Sequence, residues 1–165
     1  MKQSNATQQA VVERAVAQRV SAAGNVHAAY IGLDVHKVSI SVAIAEIGRQ
    51  APEFRGEIPN EPKAIDKLVR QLSERFAGQP LLFSYEAGPC GYGIYHQVQA
   101  SGHDCEVVAP TLIHQRAGDR IKTDRRDAQM LARISRSGEL TPVWVPTPEQ
   151  EAISDLTRAR EDMKA

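Results

Sequence analysis

The sequence predicts an α/β domain in which a mixed β-sheet is flanked by helices. Three observations carry that prediction. Apolar and β-branched runs with strand-like alternation occupy the stretch from Ala28 to Ile58, amphipathic segments with helical spacing separate the apolar runs that follow, and glycines or capping residues stand at the ends of those segments. The 165 residues, 42% of them hydrophobic, suit one domain with a sizeable core and short helical appendages rather than two full domains.

Taken in order, Gln9 to Ala23 carries Val12, Ala15, Val16 and Val20 at helical spacing with Gly24-Asn25 as a stop, an N-terminal helical arm within residues 1–27. Tyr30-Ile31-Gly32-Leu33 reads as a buried strand and His36-Lys37 as the turn of a hairpin. In the second strand Val38, Ile40, Val42 and Ile44 alternate with Ser39, Ser41 and Ala43. Phe54 to Ile58 suits a third strand. Asn60 is placed to cap a helix that runs through Arg75, buries Ile65, Leu68, Val69 and Leu72, and stops at Gly78. Leu81 to Tyr85 is the next strand, Gly88-Pro89-Cys90-Gly91 a loop, Tyr92 to Ala100 a helix closed by Gly102, and Cys105 to Ala109 a further strand. Thr123 precedes a helix from Asp124 to Ser137, with Ala128, Leu131, Ala132 and Ile134 on its apolar face and Gly138 beyond its end. After Pro142, Pro146 and Pro148 a last helix begins near Glu149, the start of a helical linker over residues 146–165; residues 28–145 are then the central domain. Three strands in meander, then helix, strand, helix, strand, helix, is the ribonuclease H-like arrangement. In such a sheet the first and fourth strands lie side by side, so residues at their C-terminal ends meet at one edge.

Acids stand at that edge. Asp34 ends the first apolar run, Glu86 ends the fourth strand, and Asp124 and Asp127, three residues apart, share one face of a helix's first turn, where the dipole favours negative charge. Four carboxylates brought together repel and hold protons at neutral pH unless a cation neutralises them, and their hard oxygens suit Mg²⁺ or Mn²⁺. The chemistry this implies is phosphodiester cleavage or transfer, with Asp34 bridging two ions. Singly, each acid also has an ordinary reading: Asp124 as a helix cap, Asp127 as a dipole-favoured surface acid, Asp34 as a turn residue and Glu86 as a solvated loop acid.

Charge is balanced globally, with 20 Lys plus Arg against 20 Asp plus Glu, yet the stretch from Arg116 to Arg136 is net basic. Arg116, Arg120, Lys122, Arg125 and Arg126, together with Lys37 near Asp34, are the candidate phosphate contacts; a solvated helix face is the alternative, and the one that fits Arg133 and Arg136. His36 reads as a turn residue or as a group that supports Asp34 or moves a proton, and His114 as structural or touching nucleic acid. His27, His96 and His103 have no partner at a useful spacing. Tyr85, Tyr92 and Tyr95 suit the core better than base stacking, and Trp144 reads as a packing anchor. Cys90 and Cys105 have zinc-finger spacing neither to each other nor to a His, and are expected as free thiols. No apolar run approaches the roughly 20 residues that span a bilayer, and the polar first 19 residues lack a signal-peptide core, so a cytoplasmic protein with no membrane partner is expected.

Together, Gly32-Leu33-Asp34-Val35-His36-Lys37, Tyr85-Glu86-Ala87-Gly88 and Lys122-Thr123-Asp124-Arg125-Arg126-Asp127-Ala128 closely resemble the DEDD insertion-sequence transposases, relatives of Piv-type DNA invertases. The resemblance extends over about Ala28 to Glu161. It implies that Asp34, Glu86, Asp124 and Asp127 are catalytic metal ligands and that DNA, an element-encoded bridge RNA and other protomers of a homo-oligomer are partners. It also implies a second domain bearing a serine nucleophile, so the chain is expected to be an N-terminal domain that does not complete transposition alone. A self-sufficient Mg²⁺-dependent resolvase-like nuclease is the alternative, and a nucleic-acid-binding or assembly module a third reading. A sugar-kinase or actin-type ATPase is disfavoured because Val35-His36-Lys37-Val38 lacks the glycine such a phosphate-binding hairpin needs.

Overall fold

The computed structural model describes residues 27–109 and 123–164. The N-terminal arm, His114, Arg116, Arg120 and Lys122 lie outside the described residues. Within them the elements are β1 (Ala29–Val35), β2 (Ser39–Glu46), β3 (Glu53–Pro59), α1 (Pro62–Arg75), β4 (Leu81–Glu86), α2 (Gly93–Ala100), β5 (Asp104–Val108), α3 (Asp124–Ser137) and α4 (Pro148–Asp162). The sheet order is β3-β2-β1-β4-β5. β1 is antiparallel to β2 and parallel to β4, and β4 is parallel to β5. An antiparallel meander joined at its first strand to two parallel crossover strands is the ribonuclease H-like sheet, so the expected fold class is the observed one.

Helices cover both faces of the sheet's centre, which explains one departure from expectation. Alternation in β2 suggested one buried face, yet Ser41, Ala43 and Ala45 are as buried as Ile40, Val42 and Ile44. A central strand sandwiched between helices has no solvent face. Val38 is excluded from the strand and is 76% exposed in the hairpin turn. On one face Ile31, Leu33, Phe83, Tyr85 and Val107 of the sheet meet Leu68 and Leu72 of α1 and Val98 of α2 in a single large cluster. Tyr85 is thereby a core residue and not a stacking platform.

On the other face α3 lies against small residues: Ala43 and Ala45 pack on Ala128 and Ala132. Gly32 lets the two backbones approach closely, since a Cβ built there would lie 2.1 Å from the Ala128 carbonyl oxygen and 2.6 Å from the Ala132 nitrogen. The helix is bounded as expected. Thr123 Oγ1 accepts a hydrogen bond from the Arg126 N–H, and Gly138 takes the left-handed conformation at the C-terminus. α1 starts otherwise than predicted: Glu61 is its N-cap, without a side-chain cap bond, and Pro62 occupies the first turn. Asn60 sends its amide to the β1–β2 turn instead.

The remaining histidines gain tertiary partners that sequence spacing could not reveal. His27 pairs with Asp104, His96 of α2 with Glu151 of α4, each at 2.7 Å, and His103 bonds Ser73 Oγ at 2.6 Å. α4 starts with a capping box of Thr147 and Gln150 and buries none of its residues. Trp144, expected as an anchor, is 51% exposed. Cys105 is buried and Cys90 exposed, both free thiols. Among the described residues no helix is long and apolar enough to cross a membrane.

Candidate metal centre

Strand register, residue parity and the direction of one helix set where the acids stand. The parallel register of β1 and β4 ends at the pair Leu33 and Tyr85, so Asp34 and Glu86 stand one position further along neighbouring strands. Residue parity then fixes their face. Gly32 and Ser84 both face α3, Gly32 through its contact with the helix backbone and Ser84 through a 2.9 Å hydrogen bond from its Oγ to Ser135 Oγ. Asp34 and Glu86, each two residues on, therefore project to the same side. The helix α3 runs antiparallel to β1: its Ala128 and Ala132 sit over Gly32, while Arg136 donates to the carbonyl of Glu46, the partner of Ala29 at the other end of β1. Its first turn, with Asp124 and Asp127, consequently arrives at Asp34.

His36 stands between the acids. Its Nε2 lies 2.9 Å from Asp34 Oδ2 and 3.3 Å from Asp124 Oδ1. One donor atom from each of Asp34, His36 and Asp124 falls within 4.8 Å of the other two, and this is the one such group among the described residues. Glu86 and Asp127 do not join that trio. Asp127 is nonetheless near enough for its charge to act on Asp34.

The electrostatics follow from this placement. The Asp34 carboxyl, its side chain only 18% exposed, is held above the usual carboxylate range. Burial is the main cause and the charges of Asp127 and Asp124 add to it, against the opposing pull of the His36 hydrogen bond. The imidazole of His36 is pushed up in turn, first by its hydrogen bond to Asp34 and then by that group's charge. Two carboxylates plus an imidazole nitrogen form a donor set that a small divalent cation accepts. Repulsion among the acids is also relieved by positive charge at that point, whether from a metal ion or from the imidazolium.

The basic candidates are divided. Lys37, Arg125 and Arg126 are exposed and adjoin His36 and Asp124 in the chain. Arg125 lays its guanidinium 5.0 Å over the Phe54 ring of β3. That contact, like the link from Asn60 to His36, was not foreseen, because it joins residues 71 apart in sequence with no local signal. The contact of His36 with Asp34 could be anticipated from their spacing of two around a hairpin turn, whereas its contact with Asp124 could not.

Comparison with known proteins adds the following. Residues 31–165 match the transposase family of the DEDD, IS110 type. A protein of Sinorhizobium fredii that bears the name of a transposase, y4qE, is 47% identical over 133 residues, covering 80% of this chain and 34% of that one. The transposase of insertion sequence element IS1533 from Leptospira borgpetersenii is 32% identical over 136 residues, covering 82% and 39%. The chain thus spans between a third and two fifths of the length of these curated relatives. Among solved structures, RuvC of Thermus thermophilus aligns with 70% of this chain and 99% of its own, at 12% identity and a TM-score of 0.46. RuvC of the same organism in complex with a Holliday junction substrate aligns with 71% of this chain and 100% of its own, at 12% identity and a TM-score of 0.45.

Proposed function

Since the chain belongs to the DEDD transposase family of the IS110 type, we propose that it is the metal-binding catalytic domain of a DNA transposase or site-specific recombinase that mobilises an insertion element. The observation that carries this reading is the meeting of Asp34 and Asp124, from β1 and the first turn of α3, on either side of His36. Asp34, Glu86, Asp124 and Asp127 hold the metal, Mg²⁺ or Mn²⁺, in a domain comprising residues 28–145. Residues 146–165 begin the helical linker. When bound, a divalent ion supplies positive charge that orients and polarises phosphodiester oxygens. Lys37, Arg125 and Arg126, with Arg116, Arg120 and Lys122 of the adjoining basic segment, hold the DNA backbone through charge-assisted contacts that carry no sequence information, so affinity for DNA falls as salt rises. Burial of Asp34 reduces the screening of its charge and so strengthens its attraction for a cation.

The resemblance supports a strand-breaking serine in a second domain, and a bridge RNA and a homo-oligomeric state for the complete transposase, with the acids and the serine forming a composite site. The test is calorimetric. Titrating Mg²⁺ and Mn²⁺ into the chain and into Asp34→Asn and Asp124→Asn is expected to give saturable heats that the substitutions remove. Equal, negligible heats in all three would contradict the reading. Metal-dependent nicking of branched DNA by the isolated chain would move the conclusion to a self-sufficient nuclease.

A further inference from the structure

The acids alone do not account for His36. Its imidazole could have turned to solvent, yet Nε2 sits 2.9 Å from Asp34 Oδ2 and 3.3 Å from Asp124 Oδ1. Its main chain is fixed by two hydrogen bonds, and the turn it belongs to by a third. The His36 N–H donates to the Ser39 carbonyl at 2.8 Å, the Asn60 N–H donates to the Val38 carbonyl at 3.0 Å, and the Asn60 side-chain amide donates to the His36 carbonyl at 2.7 Å. Asn60 also lies 3.7 Å from Cys90 Sγ, which ties the end of β3, the β1–β2 turn and the loop before α2 into one assembly. A hairpin turn held this way presents its ring at one place.

We propose that His36 is a nitrogen ligand of the divalent ion, that Asn60 is the positioning residue for it, and that this donor gives the centre a preference for Mn²⁺ over Mg²⁺. The inference rests on the metal-binding reading above and adds to its four carboxylates a fifth donor of different chemistry. Donors that sit side by side around an ion at bond lengths of about 2.1 Å are separated by roughly 3 Å. The spacings from Nε2 to the two carboxylate oxygens are of that size. Imidazole is accepted by first-row transition ions, whereas Mg²⁺ keeps to oxygen donors and gives up water reluctantly. Of these two ions Mn²⁺, the transition ion, is the one that accepts imidazole as well as carboxylate.

Two measurements on the whole chain decide the matter: calorimetry with Mn²⁺ and with Mg²⁺, and pulsed electron paramagnetic resonance of the Mn²⁺ complex, which detects a directly bound imidazole nitrogen. Wild type is expected to bind Mn²⁺ at least about tenfold more tightly than Mg²⁺ and to show nitrogen modulation. His36→Gln, with circular dichroism confirming its fold, is expected to lose the modulation and about tenfold in Mn²⁺ affinity while Mg²⁺ affinity stays within about twofold. Asn60→Ala is expected to weaken both Mn²⁺ signals, since partners that orient a ligand act on affinity by about 10- to 100-fold. Mn²⁺ binding that depends on Asp34 but shows no nitrogen modulation and ignores His36→Gln would overturn the ligand assignment and leave the metal centre standing. Failure of wild type to bind either ion would overturn both.

Discussion

On the face covered by α1 and α2 the sheet presents Ile31, Leu33, Phe83 and Tyr85; on the face covered by α3 it presents Gly32, Ala43, Ala45 and Ser84. Large side chains bury area and keep the layers apart, and a cluster of many such residues can redistribute a small error among its members. Small residues bury less but let helix backbone rest on strand backbone, where there is nothing soft to yield. The candidate metal centre lies on the second side. Its acids come from β1 and from the first turn of α3, so the distance between them is set by how closely that helix approaches the strand. One face therefore supplies most of the stability, and the other supplies the position.

The sharpest way to break that division is Gly32→Ala. The added methyl carbon would meet helix backbone at 2.1 and 2.6 Å, not the flexible end of a side chain. Lifting α3 is the one relief available, and it withdraws Asp124 and Asp127 from Asp34. We expect loss of the Mn²⁺ heat together with a destabilisation above the ~1–3 kcal/mol usual for overpacking. Retention of wild-type metal affinity would show that the close approach does not position the site. Leu72→Ala tests the opposite face. Leu72 is fully buried, and its truncation is expected to cost about 2–5 kcal/mol in denaturant unfolding. The folded variant should bind Mn²⁺ like wild type. A comparable fall in affinity would mean that the two faces are not separable.

The same division explains what could be read from the chain. Strand alternation, the Thr123 cap and the Gly138 stop are local signals, and α3 has the bounds that they imply. Parity along β1 and β4, once their pairing is known, places Asp34 and Glu86 on one side. What escaped was tertiary. Asn60 carries the sequence signature of a helix cap, but Pro62 sets the helix start one residue later and frees the amide for His36. Ser41 and Ala43 look polar or neutral in the sequence, and their burial could not be read there because α3, more than 80 residues further on, is what covers them. The contact of His36 with Asp124 has the same origin, as it joins a hairpin turn to a helix that the chain reaches only after the whole sheet is made.

The smallest predicted effect concerns pH and belongs to the large-residue face. His103 is buried beside Phe83, receives the Leu81 N–H at Nδ1 and contacts Ser73 Oγ through Nε2. Since Ser73 gives its own hydrogen to the Val69 carbonyl, Nε2 carries the imidazole proton and Nδ1 is bare. Protonating Nδ1 would oppose a hydrogen to the Leu81 N–H in a desolvated place, and burial accordingly holds this imidazole below its usual value, with Asp104 pulling weakly the other way. In the unfolded chain the group titrates near 6.5. Below that pH the unfolded state binds a proton that the folded state refuses, so stability present above about 6.5 is lost as pH falls toward the folded value. Urea midpoints at pH 8 and 5.5 should therefore differ more for wild type than for His103→Asn, which cannot take up the proton. Equal differences would show that His103 is not the group through which acid weakens the fold, since the raised imidazole of His36 shifts stability with pH in the opposite direction.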